Sequence, residues 1–225
     1  MTDPADLPAA ALPVALPVDG AELATYVAAK LCHDFVSPAG AVMSGLDLLN
    51  DPSAQDMRDD ALALITQSAA KMIALVHFCR VAFGAATSSE RFTGEELRGL
   101  VNGMVEGGRA TLDWQVTETD FNKPAARALV NLAYLTVAAL PSGGAAVIAS
   151  RREGDAIVLH GLAEGARTRL KPEAATGLAG QRLTEGLAGQ WVQPYWLWLT
   201  VADAGGVLTV TADEGRVEML ARMPA

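Results

Sequence analysis

The chain has 225 residues, 51% of them apolar and 19% charged, with a formal net charge of −9. That is enough chain for two small domains, and the acidic balance excludes nucleic acid as the expected partner, because nucleic-acid binding rests on neutralising phosphates with Lys and Arg. No uninterrupted apolar run reaches the ~20 residues of a membrane span, and Cys32 and Cys79 suggest neither a disulfide framework nor a metal site, so the sequence reads as a soluble cytoplasmic protein with no membrane partner.

Residues 1–18 carry Pro4, Pro8, Pro13 and Pro17, which fix φ and remove donors, so no helix propagates there. No basic residue precedes the apolar stretch, unlike a secretory signal, and the segment is expected to be a disordered tail. Asp19 followed by Glu22 has the spacing of a helix start. From there Leu23, Val27, Leu31, Phe35, Pro38, Val42, Leu46 and Leu49 recur in steps of three and four, one face of a long helix. Asn50-Asp51-Pro52-Ser53 ends it, and Ser53 with Asp56 is expected to start a second helix carrying Met57, Leu62, Ile65, Ala69, Met72, Val76 and Phe83. Each spans roughly 30 residues, or about 45 Å. Residues 19–84 thus form an antiparallel helical hairpin. A lone hairpin leaves apolar surface uncovered, and a second copy would complete a dimeric four-helix bundle, so a homodimer is expected.

Residues 85–93 read as a linker, and residues 94–225 as a separate domain of mixed signals. A helix is predicted over Glu95–Glu106, a strand over Thr111–Thr117 and a helix over Pro124–Leu140. Strands follow over Ala145–Ser150 and Asp155–Leu162, helices over Pro172–Leu187 and Trp191–Ala202, and strands over Val207–Ala212 and Arg216–Met223. Helices alternating with strand pairs indicate an α+β sandwich.

The chemistry concentrates in His33-Asp34-Phe35-Val36-Ser37-Pro38. At ~100° per residue the apolar stripe of the first helix lies roughly opposite His33, so the imidazole points outward. Ala29, Ser37, Gly40 and Ser44 share that outer face and are all small. A helical glycine costs ~1 kcal/mol relative to alanine, so Gly40 calls for a reason, and a bare surface that admits another protein's backbone supplies one. Imidazole is nucleophilic near neutral pH and can carry a transferable phosphoryl group. Asp34 can accept a hydrogen bond from one ring nitrogen and favour nucleophilicity at the other. Pro38 lacks an N–H and leaves the Asp34 carbonyl without its helical partner. Taken alone, the motif is also compatible with an ordinary surface histidine and a chance proline.

This motif resembles the phosphoacceptor motif of sensor histidine kinases, on the first helix of their dimerisation hairpin. Ala128-Leu129-Val130-Asn131-Leu132 is similar to the start of the kinases' asparagine-containing helix, and Gly205–Val210 and Val217–Pro224 to their last two strands. The departures fall in the nucleotide site. Leu135 stands where a kinase has a second Mg²⁺-holding Asn, and His160-Gly161-Leu162-Ala163-Glu164-Gly165 lacks the adenine-binding aspartate. Gly177-Leu178-Ala179-Gly180 and Gly186-Leu187-Ala188-Gly189 look like phosphate loops but have no neighbouring Asn or Lys. A kinase skeleton that keeps its acceptor and loses its nucleotide site resembles the dimeric histidine phosphotransferases of phosphorelays, whose second domain is a degenerate ATPase-like fold.

That resemblance implies phosphoryl transfer from the receiver domain of a hybrid histidine kinase (CckA-like) to response-regulator receivers (CtrA- and CpdR-like). The acceptor maps onto His33, with Asp34 as its polarising partner and Pro38 completing the motif. Phosphoryl transfer depends mainly on positioning and charge neutralisation, and in such a relay the receiver brings the Mg²⁺, so no intrinsic cofactor, no metal and no ATP binding are expected. Arg167, Arg169 and Lys171 form a basic run where a kinase has its nucleotide lid; they suit a second contact with an acidic receiver mouth, against the plainer reading of a solvated loop. Two other readings are a non-catalytic adaptor that binds receivers or kinases, and an ATP-dependent kinase with an unusual site.

Overall fold

Asp19 caps the first helix: its carboxylate accepts from the N–H groups of Ala21 and Glu22, both at 2.9 Å, satisfying donors that no helical carbonyl reaches. The helix, α1 (Gly20–Asn50), runs through Pro38 without ending. The computed structural model describes residues 18–84 and 91–225; the expected tail up to residue 17 and residues 85–90 of the expected linker lie outside them. Val18, placed in the tail by the sequence, is buried with Leu23 against Trp191, Val192 and Tyr195.

Ser53 does not cap the second helix. Its N–H and hydroxyl both bond to Asp51 Oδ1, at 2.8 and 2.7 Å, so the loop closes on an Asx-type turn. A single 3-10 turn (Gln55–Met57) follows, and only then α2 (Arg58–Ala82). The hairpin is tightest at Gly45, where an added Cβ would lie 2.6 Å from Ile65 Cγ1 and 3.0 Å from the Ala61 carbonyl. Val36, Met43 and Leu46 on α1 and Leu62, Ile73 and Val76 on α2 remain exposed. Within the span Gln55–Ala82 an 18-residue window has a mean hydropathy of 1.5, apolar enough by length and composition alone to cross a membrane, although the span also carries charged residues such as Asp59, Asp60 and Lys71.

The second domain begins earlier than expected, since Phe92 pairs with Phe121 through both backbone N–H groups. Thr93 and Glu96 then form a reciprocal capping box at α3 (Gly94–Val105). There follow β1 (Ala110–Gln115), α4 (Lys123–Ala138), β2 (Gly144–Glu153), β3 (Ala156–Glu164), α5 (Pro172–Leu178), α6 (Ala188–Asp203), β4 (Val207–Asp213) and β5 (Arg216–Pro224). The sheet order is β1-β2-β3-β5-β4, with β1 parallel to β2 and the other pairs antiparallel. The helix expected over 172–187 stops at Leu178. Gly180 at φ +70° and Gly186 at φ +103° take left-handed backbone that ends a helix, and α6 starts afresh at Ala188. Leu129 and Leu132 of α4, Leu197 and Val201 of α6, and Ile148, Leu159 and Met219 from the sheet build the core. The architecture is α+β, as the sequence predicts.

The domain packs onto its own hairpin: α3 and α4 lie against α2, and α6 against α1. Ala82 is the last residue of α2, so its carbonyl has no helical partner. It accepts instead from Asn131 Nδ2 at 3.0 Å and Trp196 Nε1 at 2.8 Å.

Candidate functional site

His33 stands mid-way along α1 with its side chain 89% exposed, on the outer side that the helical wheel assigns to it. It overlooks an open cleft of about 510 Å³ between the hairpin and the second domain, lined by Asp34, Ser37 and Pro38 of α1, Ser68 and Lys71 of α2, Met104 of α3 and Tyr134 of α4. The imidazole Nδ1 lies 3.4 Å from Asp34 Oδ1, a long hydrogen bond. Adjacent helical residues diverge by about 100°, so the carboxylate must lean sideways to reach the ring. Its other oxygen, Oδ2, accepts from Lys30 Nζ at 2.7 Å. The Lys30 side chain is only 9% exposed, with its ammonium 6.0 Å from the centroid of the Tyr134 ring. Burial pushes the Cys79 thiol of α2 up to about 11, with the charge of Asp34 adding to the rise and that of Lys30 opposing it.

Ala29, Ser37, Gly40 and Ser44 are all exposed, whereas Pro38 is half-buried. A Cβ at Gly40 would meet nothing within 4 Å, so the chain's own packing does not require glycine there. Arg167, Arg169 and Lys171 are exposed in the segment between β3 and α5. Arg169 and Lys171 line a second cleft with Lys30, Tyr134 and Gln190, and Arg167 is not part of that lining. The two clefts meet at Tyr134. Lys30 and Tyr134 were missed from sequence. The Lys30–Asp34 spacing of four was a legible signal, whereas Tyr134 reaches the site only through tertiary packing.

The positions that resemble a kinase's nucleotide site take part in packing and hydrogen bonding. Asn131 is fully buried; its amide N–H group donates to Ala82 and Arg127 carbonyls, and its oxygen accepts from Gln193 Nε2 at 3.1 Å. Leu135 is buried in the core. Gly161 lets Thr136 and Leu132 approach, since a Cβ there would lie 2.2 Å from Thr136 Oγ1. Gly177 lies under the α6 backbone at Trp191 and Tyr195, Gly180 under the Trp198 ring, and Gly186 beside the Glu173 carboxylate. His160 points to the other face of the sheet and pairs with Glu218 at 2.7 Å. Among the described residues no three His, Cys, Asp or Glu side chains gather as metal ligands do.

The family described as "Histidine phosphotransferase C-terminal domain" matches residues 94–216, more than half of the chain. The match extends into the hairpin: "Protein phosphotransferase ChpT" of Brucella abortus (strain 2308) is 30% identical over 207 residues, covering 89% of this chain and 94% of that protein. The chain belongs to the histidine phosphotransferase family. A solved bacterial phosphotransferase superposes on this family member with a TM-score of 0.80 at 25% identity, over 94% of this chain and all of that one. The histidine kinase AdeS of Acinetobacter baumannii aligns more loosely, at a TM-score of 0.47 and 11% identity, over 85% of this chain and 97% of that one. Membership of the histidine phosphotransferases carries phosphotransfer in two-component signalling.

Proposed function

We propose that this histidine phosphotransferase carries the phosphoryl group on His33, between the receiver domain of a hybrid histidine kinase (CckA-like) and response-regulator receivers (CtrA- and CpdR-like). The observation that carries the reading is the 89% exposed imidazole at the cleft mouth, with Asp34 Oδ1 3.4 Å from Nδ1. In the forward step the Nε2 lone pair attacks the phosphorus of the receiver's phospho-aspartate. An N–P bond forms, the acyl P–O bond breaks, and the aspartate leaves as carboxylate. Asp34 accepts the Nδ1–H hydrogen bond and balances the positive charge that the ring gains. Transfer to the next receiver reverses these steps. The receiver's Mg²⁺ neutralises the phosphoryl oxygens, so the chain itself supplies an aligned nucleophile and a docking surface, with no intrinsic metal.

The small residues Ala29, Ser37, Gly40 and Ser44 let the receiver approach, and Arg167, Arg169 and Lys171 attract its acidic mouth. No ATP-dependent autokinase activity is proposed: the single Asn131 amide is consumed in the interdomain contact, Leu135 offers no ligand, and the glycine loops are closed by α6 and Glu173. The exposed apolar residues along α1 and α2 are covered by a second copy in a dimeric four-helix bundle, and the protein works in the cytoplasm.

Incubating wild type and His33→Ala with a phosphorylated receiver and Mg²⁺ tests the acceptor. Label is expected on wild type and none on the variant, whose fold is unchanged because the ring packs against little. Label on His33→Ala would refute the assignment; no label on wild type would favour the adaptor. Labelled ATP with Mg²⁺ and no partner should leave the protein unlabelled, and autophosphorylation would overturn that part of the proposal.

A further inference from the structure

Lys30 is an expensive residue in its position. A lysine is rarely taken out of water without a partner, yet the Lys30 side chain is only 9% exposed, with its ammonium 6.0 Å from the centroid of the Tyr134 ring of the second domain. Helix stability does not account for the pair. A basic residue N-terminal to an acidic one four positions on is the less favourable order for a helical ion pair, and α1 is already held by its cap and by packing. Lys71, the other lysine lining the His33 cleft, is engaged elsewhere: its ammonium donates to the Met104 carbonyl at 2.7 Å and the Gly103 carbonyl at 3.4 Å. Lys30 alone meets the carboxylate.

The geometry of that contact is selective. Lys30 takes Oδ2 at 2.7 Å, and Oδ1 is left facing His33 Nδ1 at 3.4 Å. An Asp on the helix, free of Lys30, would rotate toward water and the ring would lose its partner. We infer that Lys30 is a positioning residue for phosphotransfer: it orients Asp34 so that one oxygen accepts from Nδ1–H, which keeps the neutral ring in the Nδ1–H tautomer and leaves the lone pair on Nε2. A ring nitrogen's role is set by the hydrogen bond that the other nitrogen makes. The second domain enters this arrangement directly, because Tyr134 of α4 excludes water from Lys30 and keeps the ion pair in one geometry. The inference rests on His33 being the acceptor and adds a third member to its site.

The test uses the full-length protein in three forms: wild type, Lys30→Met and Lys30→Arg. Two-bond ¹H–¹⁵N correlation spectra of the neutral His33 ring are expected to show Nδ1–H in wild type and Lys30→Arg, and a shift toward Nε2–H in Lys30→Met. Single-turnover transfer from a phosphorylated receiver should fall about tenfold in its maximal rate for Lys30→Met, a fraction of what a positioned proton acceptor contributes. The half-saturating receiver concentration should stay the same, and Lys30→Arg should restore the rate. Lys30→Gln replaces Lys30→Met if the latter fails to fold. An unchanged tautomer in the Met variant, an unchanged maximal rate, or a loss confined to receiver saturation would overturn the inference. The spectra need no partner, so if wild type accepted no phosphoryl group the acceptor assignment would fail while the tautomer comparison still judged Lys30.

Discussion

Replacing Asn131 with Leu removes the polar clamp between hairpin and second domain while roughly keeping its volume. Asn131 makes side-chain bonds to the Ala82 carbonyl at 3.0 Å, the Arg127 carbonyl at 2.9 Å and Gln193 Nε2 at 3.1 Å. Arg127 O retains the ordinary helical N–H of residue 131, and Ala82 O retains the Trp196 indole at 2.8 Å. Gln193, itself buried, loses its acceptor. A buried donor left unsatisfied costs about 1–3 kcal/mol and an ordinary hydrogen bond about 1 kcal/mol. The added apolar contact of Leu offsets about 1 kcal/mol. The net destabilisation is about 1–3 kcal/mol, which for a chain of this size lowers Tm by roughly 2–12 °C. Thermal unfolding followed by tryptophan fluorescence, which reports on Trp196 at the clamp, measures it. Hydrogen exchange should accelerate first at the last turn of α2, where the Ala82 carbonyl is anchored. Adding Trp196→Phe should cost more than the sum of the single changes, because only the pair strips Ala82 O of both donors. A melting temperature unchanged in Asn131→Leu, or strict additivity in the double variant, would refute the clamp.

The apolar stripes on the hairpin predict that Val36→Glu with Ile73→Glu abolishes dimerisation. Val36 is 69% and Ile73 58% exposed within one chain, so helical content should persist while sedimentation shows a monomer; a dimer of undiminished stability would refute the proposed bundle. The two thiols should separate sharply. Exposed Cys32 should react with Ellman's reagent at pH 8 far faster than Cys79, whose thiol burial pushes from an ordinary 9.0 up to about 11, and equal rates would contradict that placement. The same shift fixes a sign: between about pH 9 and 11 the folded chain keeps the Cys79 proton that the unfolded chain releases, so stability falls as pH rises through this window, and Cys79→Ala should flatten the fall.

The hairpin was legible because its apolar positions repeat in threes and fours over many turns, and Asp19 announces the start. The second domain was legible as α+β because strand pairs and helices alternate. Boundaries failed where a local signal had a competing use. Ser53 looks like a cap yet serves the Asp51 turn; residues 179–187 carry helix-forming Leu and Ala, but Gly180 and Gly186 take positive φ. Val18 and Phe92 sit in stretches whose composition suggests tail and linker, and each is recovered by a distant partner, Trp191 and Phe121. In the site, His33 and Asp34 followed from residue chemistry and helical phase. Tyr134 lies about one hundred residues further along the chain, and no local periodicity brings it to Lys30.

On the proposed reading, in which the second domain binds no nucleotide, the same tertiary contacts give that domain a use. A kinase must carry a bound nucleotide to its histidine and withdraw again, so its two domains have to part. A phosphotransferase that met both donor and recipient at one imidazole, as proposed, would gain nothing from that motion. Here Asn131 bridges to Ala82 and Gln193, Gly177 and Gly180 admit α6, and the Tyr134 ring stands beside the Lys30 ammonium. Of these contacts, Asn131 to Ala82 and Tyr134 to Lys30 hold the second domain against the hairpin, while the glycines let α6 pack closely within the second domain. A metal-holding amide at Asn131 would require breaking the contact that joins the domains, so on the proposed reading a fixed acceptor site and nucleotide chemistry exclude each other.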